Sequence, residues 1–457
     1  MAALPYKFEK FLPRHYLTQL EDWVKEAGSP ILLSGWRQVG KSTSLAHFGD
    51  THFDDTYHLN FVMDPDLERC FEEPNPKLVL AKLESRRSRK IIPGKTLLIL
   101  DEVQSCPKAI EVLGHFRDAF PKLHVIACGT FVDFAKQAVD FNIPVGRVTY
   151  MNLHPMTFKE FLLAIGEIDL FQCLSDFSWE SEITKEQHEQ LLSRMNEYMM
   201  LGGMPAIVST YVQSNQSWAA VREQQHQLWQ SVRDTFSNMM QDIVGEESDQ
   251  LLLKMLQAIS HEIQNVSQLS QHLDSKTLNQ SLNRVFQSGL FARVNAVSAE
   301  QETIFLPINS DDVFRTAFID IGLLHYALTT HNERSVLTNP MQQYGGMLAR
   351  QFVGQHLWGC SKGNMSLKYP RYMQQGSEKF DFSYGEYGIT VGENPHGLFG
   401  GQIISEVKDI QIGLNPLSIR QGHLICPLYL IEESAHLAAT VQEAAVGANR
   451  FVSSPAA

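Results

Sequence analysis

The chain has 457 residues, 44% hydrophobic and 19% charged, with a formal net charge of −13. That length exceeds one ordinary core and predicts two or three domains, and the composition excludes a disordered chain. No apolar run approaches the roughly 20 residues that span a bilayer, and the acidic balance argues against a protein that coats nucleic acid nonspecifically, because phosphate neutralisation needs clustered Lys and Arg, while leaving room for a local basic groove.

Met1 to Leu12 mixes Lys7, Glu9 and Lys10 with aromatics and offers no apolar signal core, so a cytoplasmic location is expected. Six scattered cysteines (Cys70, Cys106, Cys128, Cys173, Cys360, Cys426) form neither zinc-ribbon nor disulfide spacings and fit a reducing compartment. From Ser29 to about Leu163, short apolar runs alternate with amphipathic stretches, which predicts a parallel sheet covered by helices. The runs are Ile31-Leu32-Leu33, Tyr57 to Phe61, Thr96 to Leu100 and His124 to Cys128. The basic run Arg86-Arg87-Ser88-Arg89-Lys90 reads as solvated charge at a helix end.

From about Trp179 to Met255 the pattern is helical and polar, broken at Gly202-Gly203-Met204-Pro205, where one helix ends and another starts. Residues from Leu251 to Phe291 read as three short helices similar to a winged-helix helix-turn-helix. The third carries Thr277, Asn279, Gln280, Asn283 and Arg284, a set that suits either base edges in a major groove or packing between domains. Ser453 to Ala457 reads as a frayed tail.

The chemistry concentrates at Gly35-Trp36-Arg37-Gln38-Val39-Gly40-Lys41-Ser42, which fills every required position of a phosphate-binding P-loop between an apolar strand and a helix. Backbone amides of Gly35, Gln38, Val39 and Gly40 would turn toward the phosphates at the positive end of the helix. Lys41 would reach the β and γ phosphates, with Thr43 completing the nucleotide-binding set. The Ser42 hydroxyl would hold Mg²⁺. A second strand, Leu97 to Leu100, ends in Asp101 and Glu102. Asp101 is expected beside the metal and Glu102 as the base that orients and deprotonates the attacking water, which is the arrangement of a hydrolase. Thr130 ends the next strand as a candidate sensor of the γ-phosphate. Gln104 either binds the same water or caps the turn. Arg147 is a candidate arginine finger, in its own site or a neighbour's. The chain contains no Asn-Lys-x-Asp guanine-reading motif, so ATP is expected over GTP.

These residues resemble bacterial and archaeal AAA-type ATPases fused to a C-terminal domain of unknown function. The resemblance rests on Gly35 to Ser42, with Trp36 in place of proline and Ser42 in place of threonine, and on Leu100-Asp101-Glu102-Val103-Gln104. It continues through Gly146-Arg147, Leu153 to Phe161, Gly202-Gly203-Met204-Pro205 and Asp320-Ile321-Gly322-Leu323. It implies a C-terminal domain similar to the restriction-endonuclease (PD-(D/E)xK) fold, in which Asp381 and Glu406 would bind Mg²⁺ and Lys408 would stabilise the phosphate or position water. Arg350 stands where that family's upstream helix carries an acid.

The expected fold is therefore α/β: an AAA-type P-loop domain over residues 1–175, a helical and winged-helix-like region over 176–300, a nuclease-like α/β domain over 301–435, and a C-terminal helix and tail over 436–457. Three functions follow as expectations. The chain is a Mg-dependent ATPase acting as a switch or motor on a DNA or protein partner, an ATP-controlled DNA nuclease, or a nucleotide-gated interaction module. A homo-oligomer suits the first, and none of them requires a membrane.

Overall fold

The computed structural model describes residues 12–26, 28–130, 146–178, 181–260, 266–270, 272–297, 314–331, 346–360, 367–370, 381–384, 387–392, 409–420 and 423–440 except 435 and 438. The chain divides into two units: Lys10–Pro155 with Gln287–Leu290, and the remainder. The division at Pro155 lies inside the span 1–175 expected for the ATPase domain.

The first unit is built on five parallel strands, β1 (Ile31–Ser34), β2 (Asp55–Asn60), β3 (Thr96–Asp101), β4 (His124–Gly129) and β5 (Thr149–Asn152), in the order β2-β3-β4-β1-β5. Every residue of β3 and β4 is buried, as befits parallel strands covered on both faces, and this is why they read as unbroken apolar runs. The edge strand β5 is largely exposed and carries no such run, so the sequence did not reveal it. Helix α1 (Tyr16–Lys25) precedes the sheet, and α2 (Lys41–His52), α3 (Pro76–Arg87) and α4 (Pro107–Ala119) return the chain between strands. Both α3 and α4 start with proline at their first turn, where no amide donor is needed, and the Asn75 side chain caps α3 by accepting from the Lys77 amide. Leu98, Leu100, Val125 and Ala127 of the sheet form one core with Leu113 and Phe116 of α4. The basic run at the end of α3 is spent locally: Arg86 pairs with Asp64 at 2.7 Å, Lys90 with Glu84 at 2.9 Å and Arg89 with Asp55, while Arg87 donates to the His58 carbonyl at 3.0 Å.

The second unit begins with helices α5 (Phe158–Ala164), α6 (Ile168–Ser175), α7 (Lys185–Leu201), α8 (Pro205–Gln213), α9 (Trp218–Met240), α10 (Ser248–Gln257) and α11 (Ser275–Gln287). Reciprocal capping boxes, Thr157 with Glu160 and Thr184 with Gln187, start α5 and α7. Among the described residues the segment between α10 and α11 contains short 3₁₀ turns, Ala258–Ser260 and Val266–Gln268, in place of a full middle helix. Arg284, one of the residues suited to a groove, instead donates to the Met239 carbonyl at 2.9 Å and pairs with Asp242.

Strands β6 (Phe291–Val297) and β7 (Phe314–Phe318) pair antiparallel after α11, and β6 also runs parallel to β8 (Leu367–Pro370). The sheet continues through β9 (Phe382–Tyr384), β10 (Tyr387–Val391), β11 (Asp409–Gly413), β13 (His423–Pro427) and β12 (Ser418–Arg420), giving eight strands in the order β12-β13-β11-β10-β9-β8-β6-β7. Helices α12 (Ile321–His331) and α13 (Gly346–Cys360) and a 3₁₀ helix at Leu428–Glu433 belong to the same unit.

Three sequence motifs meet in this unit. The Gly203 amide donates to Asp320 Oδ2 at 2.7 Å, the Leu323 amide to Asp320 Oδ1 at 2.9 Å, and the Met156 amide to the Gly203 carbonyl at 2.7 Å. Tyr198 closes the knot by donating to the Met156 carbonyl at 2.6 Å. The glycines are steric requirements: a Cβ on Gly203 would lie 2.1 Å from the Met156 carbonyl oxygen, and one on Gly322 would lie 2.2 Å from Leu201 backbone. Asp320 is fully buried, and that burial pushes its carboxyl up to about 6 against the opposing pull of the Leu323, Gly203 and Gly322 amides.

Candidate nucleotide site

Strand order fixes the site. The P-loop leaves the carboxyl end of β1, the acids end β3, and β4 lies between them, so Thr130 emerges between the phosphate loop and the acids. The loop itself is curled by left-handed residues, Gln38 at φ 63° and Gly40 at φ 94°, which turn successive amides inward. Gly40 is followed directly by α2, whose first residue is Lys41.

Lys41 is buried, and its ammonium donates to the Gly35 carbonyl at 2.8 Å, the Trp36 carbonyl at 2.9 Å and Thr130 Oγ1 at 3.3 Å. Burial lowers its pKa, partly offset by the nearby Cys128, Glu102 and Asp101. Trp36 is buried, and its carbonyl is one of the acceptors of the Lys41 ammonium.

Asp101 is also buried and is more heavily bonded than any other group in the site. His58 Nε2 donates to Oδ2 at 3.1 Å, Asn60 Nδ2 to Oδ2 at 3.3 Å, Cys128 Sγ to Oδ1 at 3.1 Å, and the Glu102 amide to Oδ1 at 3.0 Å. Burial disfavours its charge, but hydrogen bonds from His58, Cys128 and Ser42 outweigh burial and hold the carboxyl at about 2. Ser42 and an ionised Asp101 thus stand side by side, a pair of hard oxygen donors that suits Mg²⁺.

Glu102 sits at φ 54° and ψ 43°, a left-handed conformation that a non-glycine residue adopts at a cost of about 1–3 kcal/mol. The turn carries its side chain out of the line of β3. Gln104 Nε2 donates to the Glu102 carboxylate, and Gln104 Oε1 accepts from the Thr130 amide at 3.2 Å. The structure therefore brings together Gly35, Lys41, Ser42, Asp101, Glu102, Gln104 and Thr130. Val39 is buried under the loop, whereas Gln38 and Thr43 are exposed on it.

Arg147 lies elsewhere. In the register of β1 against β5, Ile31 faces Thr149 and Ser34 faces Asn152, so Arg147 precedes the amino end of β5 while the P-loop follows the carboxyl end of β1. It pairs with Asp118 of α4 at 2.9 Å and is half exposed. Within one chain it does not line the phosphate cradle.

Sequence reading missed the brace beneath the loop. Arg14 donates to the Val39 carbonyl and to the His154 carbonyl, each at 2.6 Å, and Tyr16 shares a hydrogen bond with Ser44 at the start of α2. Burial and the adjacent Arg14 hold the His154 imidazole at about 4, so it is neutral at pH 7. His58 and Asn60 were missed as well, although polar side chains alternating with buried Tyr57 and Leu59 on an edge strand are a readable sign that one face meets something polar.

In the second unit Asp381 has no free carboxylate oxygen. Oδ1 receives Arg350 Nε at 2.7 Å and an Arg315 guanidinium nitrogen at 3.2 Å, and Oδ2 receives the Val391 amide at 2.8 Å. Arg350 and Arg315 thus neutralise the Asp381 carboxylate together. Glu406 and Lys408 lie outside the described residues.

Comparison with known proteins agrees with the first unit's geometry. Residues 27–162 match the AAA domain, and residues 192–334 match a domain of unknown function, DUF8612. No curated protein matches the sequence. Among solved structures, a Walker-type ATPase of Pyrococcus abyssi is similar at 12% identity and TM-score 0.42, over 70% of this chain and 96% of that one. The ORC1 protein of Aeropyrum pernix, solved in complex with DNA, is similar at 12% identity and TM-score 0.33, over 72% and 95%. The ORC2 protein of the same organism is similar at 11% identity and TM-score 0.36, over 70% and 96%. Likeness at these values says nothing about partners. With an AAA domain over residues 27–162 and the phosphate loop and acidic pair within it, the chain is an ATP-hydrolysing P-loop enzyme.

Proposed function

We propose that the chain is a Mg-dependent ATPase that works as a nucleotide-driven switch or motor on a partner macromolecule. The observation that carries this is one continuous set of contacts from the phosphate lysine to the water base: Lys41 to Thr130, Thr130 to Gln104, Gln104 to Glu102. The amides of Gly35, Gln38, Val39 and Gly40 would bind the phosphates, with Lys41 turning from its carbonyl partners to the β and γ oxygens and Thr43 beside them. Mg²⁺, held by Ser42 and bordered by Asp101, would supply charge neutralisation along the phosphates. Glu102 orients the attacking water and takes its proton, a role that contributes about 10²- to 10⁴-fold to rate. Thr130, bonded to Lys41 on one side and to Gln104 on the other, would sense the terminal phosphate, a role these two contacts support.

Arg147, at the opposite end of the sheet, suits a finger supplied to a neighbouring copy. That role requires a homo-oligomer and is read by native mass with and without ATP. Arg147→Ala would then slow turnover without loosening ATP above the assembly concentration, and change neither below it.

The nuclease alternative gains no support, because Asp381 is engaged by Arg315 and Arg350. Among the described residues no helix is long and apolar enough to cross a membrane. The test is phosphate release from ATP and Mg²⁺, with and without DNA. Lys41→Ala should lose binding or turnover, and Glu102→Gln should retain ATP without hydrolysing it. Unchanged turnover in both variants would overturn the proposal, and tight ATP binding without phosphate release by the wild-type chain would favour an interaction module.

A further inference from the structure

Gln104 occupies a place that the phosphate loop and acidic pair alone do not require. Its amide has two ends with opposite hydrogen-bonding character, and both are committed. The Thr130 N–H can only donate, so it must meet the amide oxygen, at 3.2 Å; the nitrogen then faces Glu102 and donates to its carboxylate. The orientation of the amide is therefore fixed by its partners.

A second, independent feature points to the same group. Gly129, the last residue of β4, has ordinary backbone geometry, but a Cβ there would lie 2.2 Å from Gln104 Oε1. The missing side chain at Gly129 is what admits the Gln104 amide between β4 and the turn after β3. Thr130, next in the chain, also receives the Lys41 ammonium at 3.3 Å, so the amide joins the phosphate-sensing end of β4 to the water base.

We propose that Gln104 is a positioning residue that holds the Glu102 carboxylate in line for the attacking water and ties its position to that of Thr130. This rests on the hydrolytic reading given above. Gln104 touches neither phosphate nor metal in this arrangement and acts through Glu102.

The test uses the full chain with two independent ways of removing the amide. Gln104→Met keeps length and volume but donates and accepts nothing; Gly129→Ala leaves Gln104 in place and pushes its oxygen aside. Each should lower kcat by about 10- to 100-fold, the cost of a misplaced catalytic group. Affinity for a non-hydrolysable ATP analogue should stay within about twofold, because every phosphate-binding group is retained. The double variant should be no slower than the slower single one, since both remove the same contact. Losses that multiply in the double variant, or a kcat in Gln104→Met equal to wild type, would overturn the inference while leaving ATP hydrolysis standing. A wild-type chain that binds ATP and releases no phosphate would instead overturn the hydrolytic reading, and this inference with it.

Discussion

At the scale of single residues, Arg14 makes the clearest contribution that the sequence did not announce. One guanidinium reaches two carbonyls, one in the phosphate loop and one just after β5, with charge-assisted bonds of 2.6 Å each. Bonds of this kind contribute about 1.5–3 kcal/mol apiece. Arg14→Met keeps the apolar stem and loses both, so affinity for an ATP analogue should fall by about tenfold or more by titration calorimetry. An unchanged affinity would show that the loop holds its shape without the brace. Asp101 gives a prediction of the opposite kind. With its carboxyl held at about 2, it stays ionised throughout ordinary assay conditions, so Asn60→Ala, which removes one of its bonds, should leave the pH dependence of turnover between pH 5 and pH 8 as in the wild type. The P-loop and acidic pair were legible because their spacing along the chain is their geometry. Arg14 and His58 were not, because their partners lie 25 and 43 positions away and only the sheet order brings them close.

At the scale of elements, four of five strands of the first sheet announced themselves as apolar runs, and β5 did not because edge exposure removes the pattern. Thr130 was readable as the end of a strand, but its place between Lys41 and the acids follows from β4 being inserted between β1 and β3, which no local pattern encodes. The same topology separates Arg147 from the loop by the length of β1. In the second unit the Gly-Gly-Met-Pro and Asp-Ile-Gly-Leu motifs were legible as motifs, while their purpose, one knot around Asp320 and Met156, emerged from the fold. Gly203→Ala would drive a methyl into the Met156 carbonyl, a backbone atom that cannot rotate away. Overpacking of this kind costs about 1–3 kcal/mol or more, so the thermal transition of that unit should fall by several degrees. Retention of the wild-type Tm would mean that α7, α8 and α5 separate freely at that point.

For the whole molecule, buried titratable groups set the response to acid. Burial holds His154 at about 4, with Arg14 adding to the effect, and likewise His325 with Arg222; burial alone holds His356 there, against an ordinary value of 6.5. As pH falls from 6.5 toward 4, the unfolded chain takes up a proton at each while the folded chain does not, so stability is lost across that window. Asp320 works in the other direction. Its folded carboxyl, at about 6, protonates before the unfolded one at 3.8, so it returns stability as pH falls through the same range. In the second unit two histidines face two carboxyls that burial pushes up, Asp320 and Glu432, whereas in the first His154 and His124 are both lowered by burial with no such carboxyl against them among the described residues, so the first unit's thermal transition should fall between pH 7 and pH 4.5 by scanning calorimetry. A first-unit transition that rises over that interval would contradict these assignments. The α/β character was legible from the alternation of apolar runs and the AAA domain from the resemblance carried by its P-loop and acidic pair, whereas the mixed eight-stranded sheet was not, because its strands are three to seven residues long and partners such as β6 and β8 lie far apart in sequence.

The most direct test of the central claim is phosphate release by the full chain given ATP and Mg²⁺, measured beside Glu102→Gln and Lys41→Ala with bound nucleotide quantified in each. Turnover by the wild type, ATP retained but not cleaved by Glu102→Gln, and loss of turnover in Lys41→Ala are the predicted results. Equal phosphate release by the wild type and Glu102→Gln would contradict the assignment of Glu102 as the base and the hydrolytic site built around it.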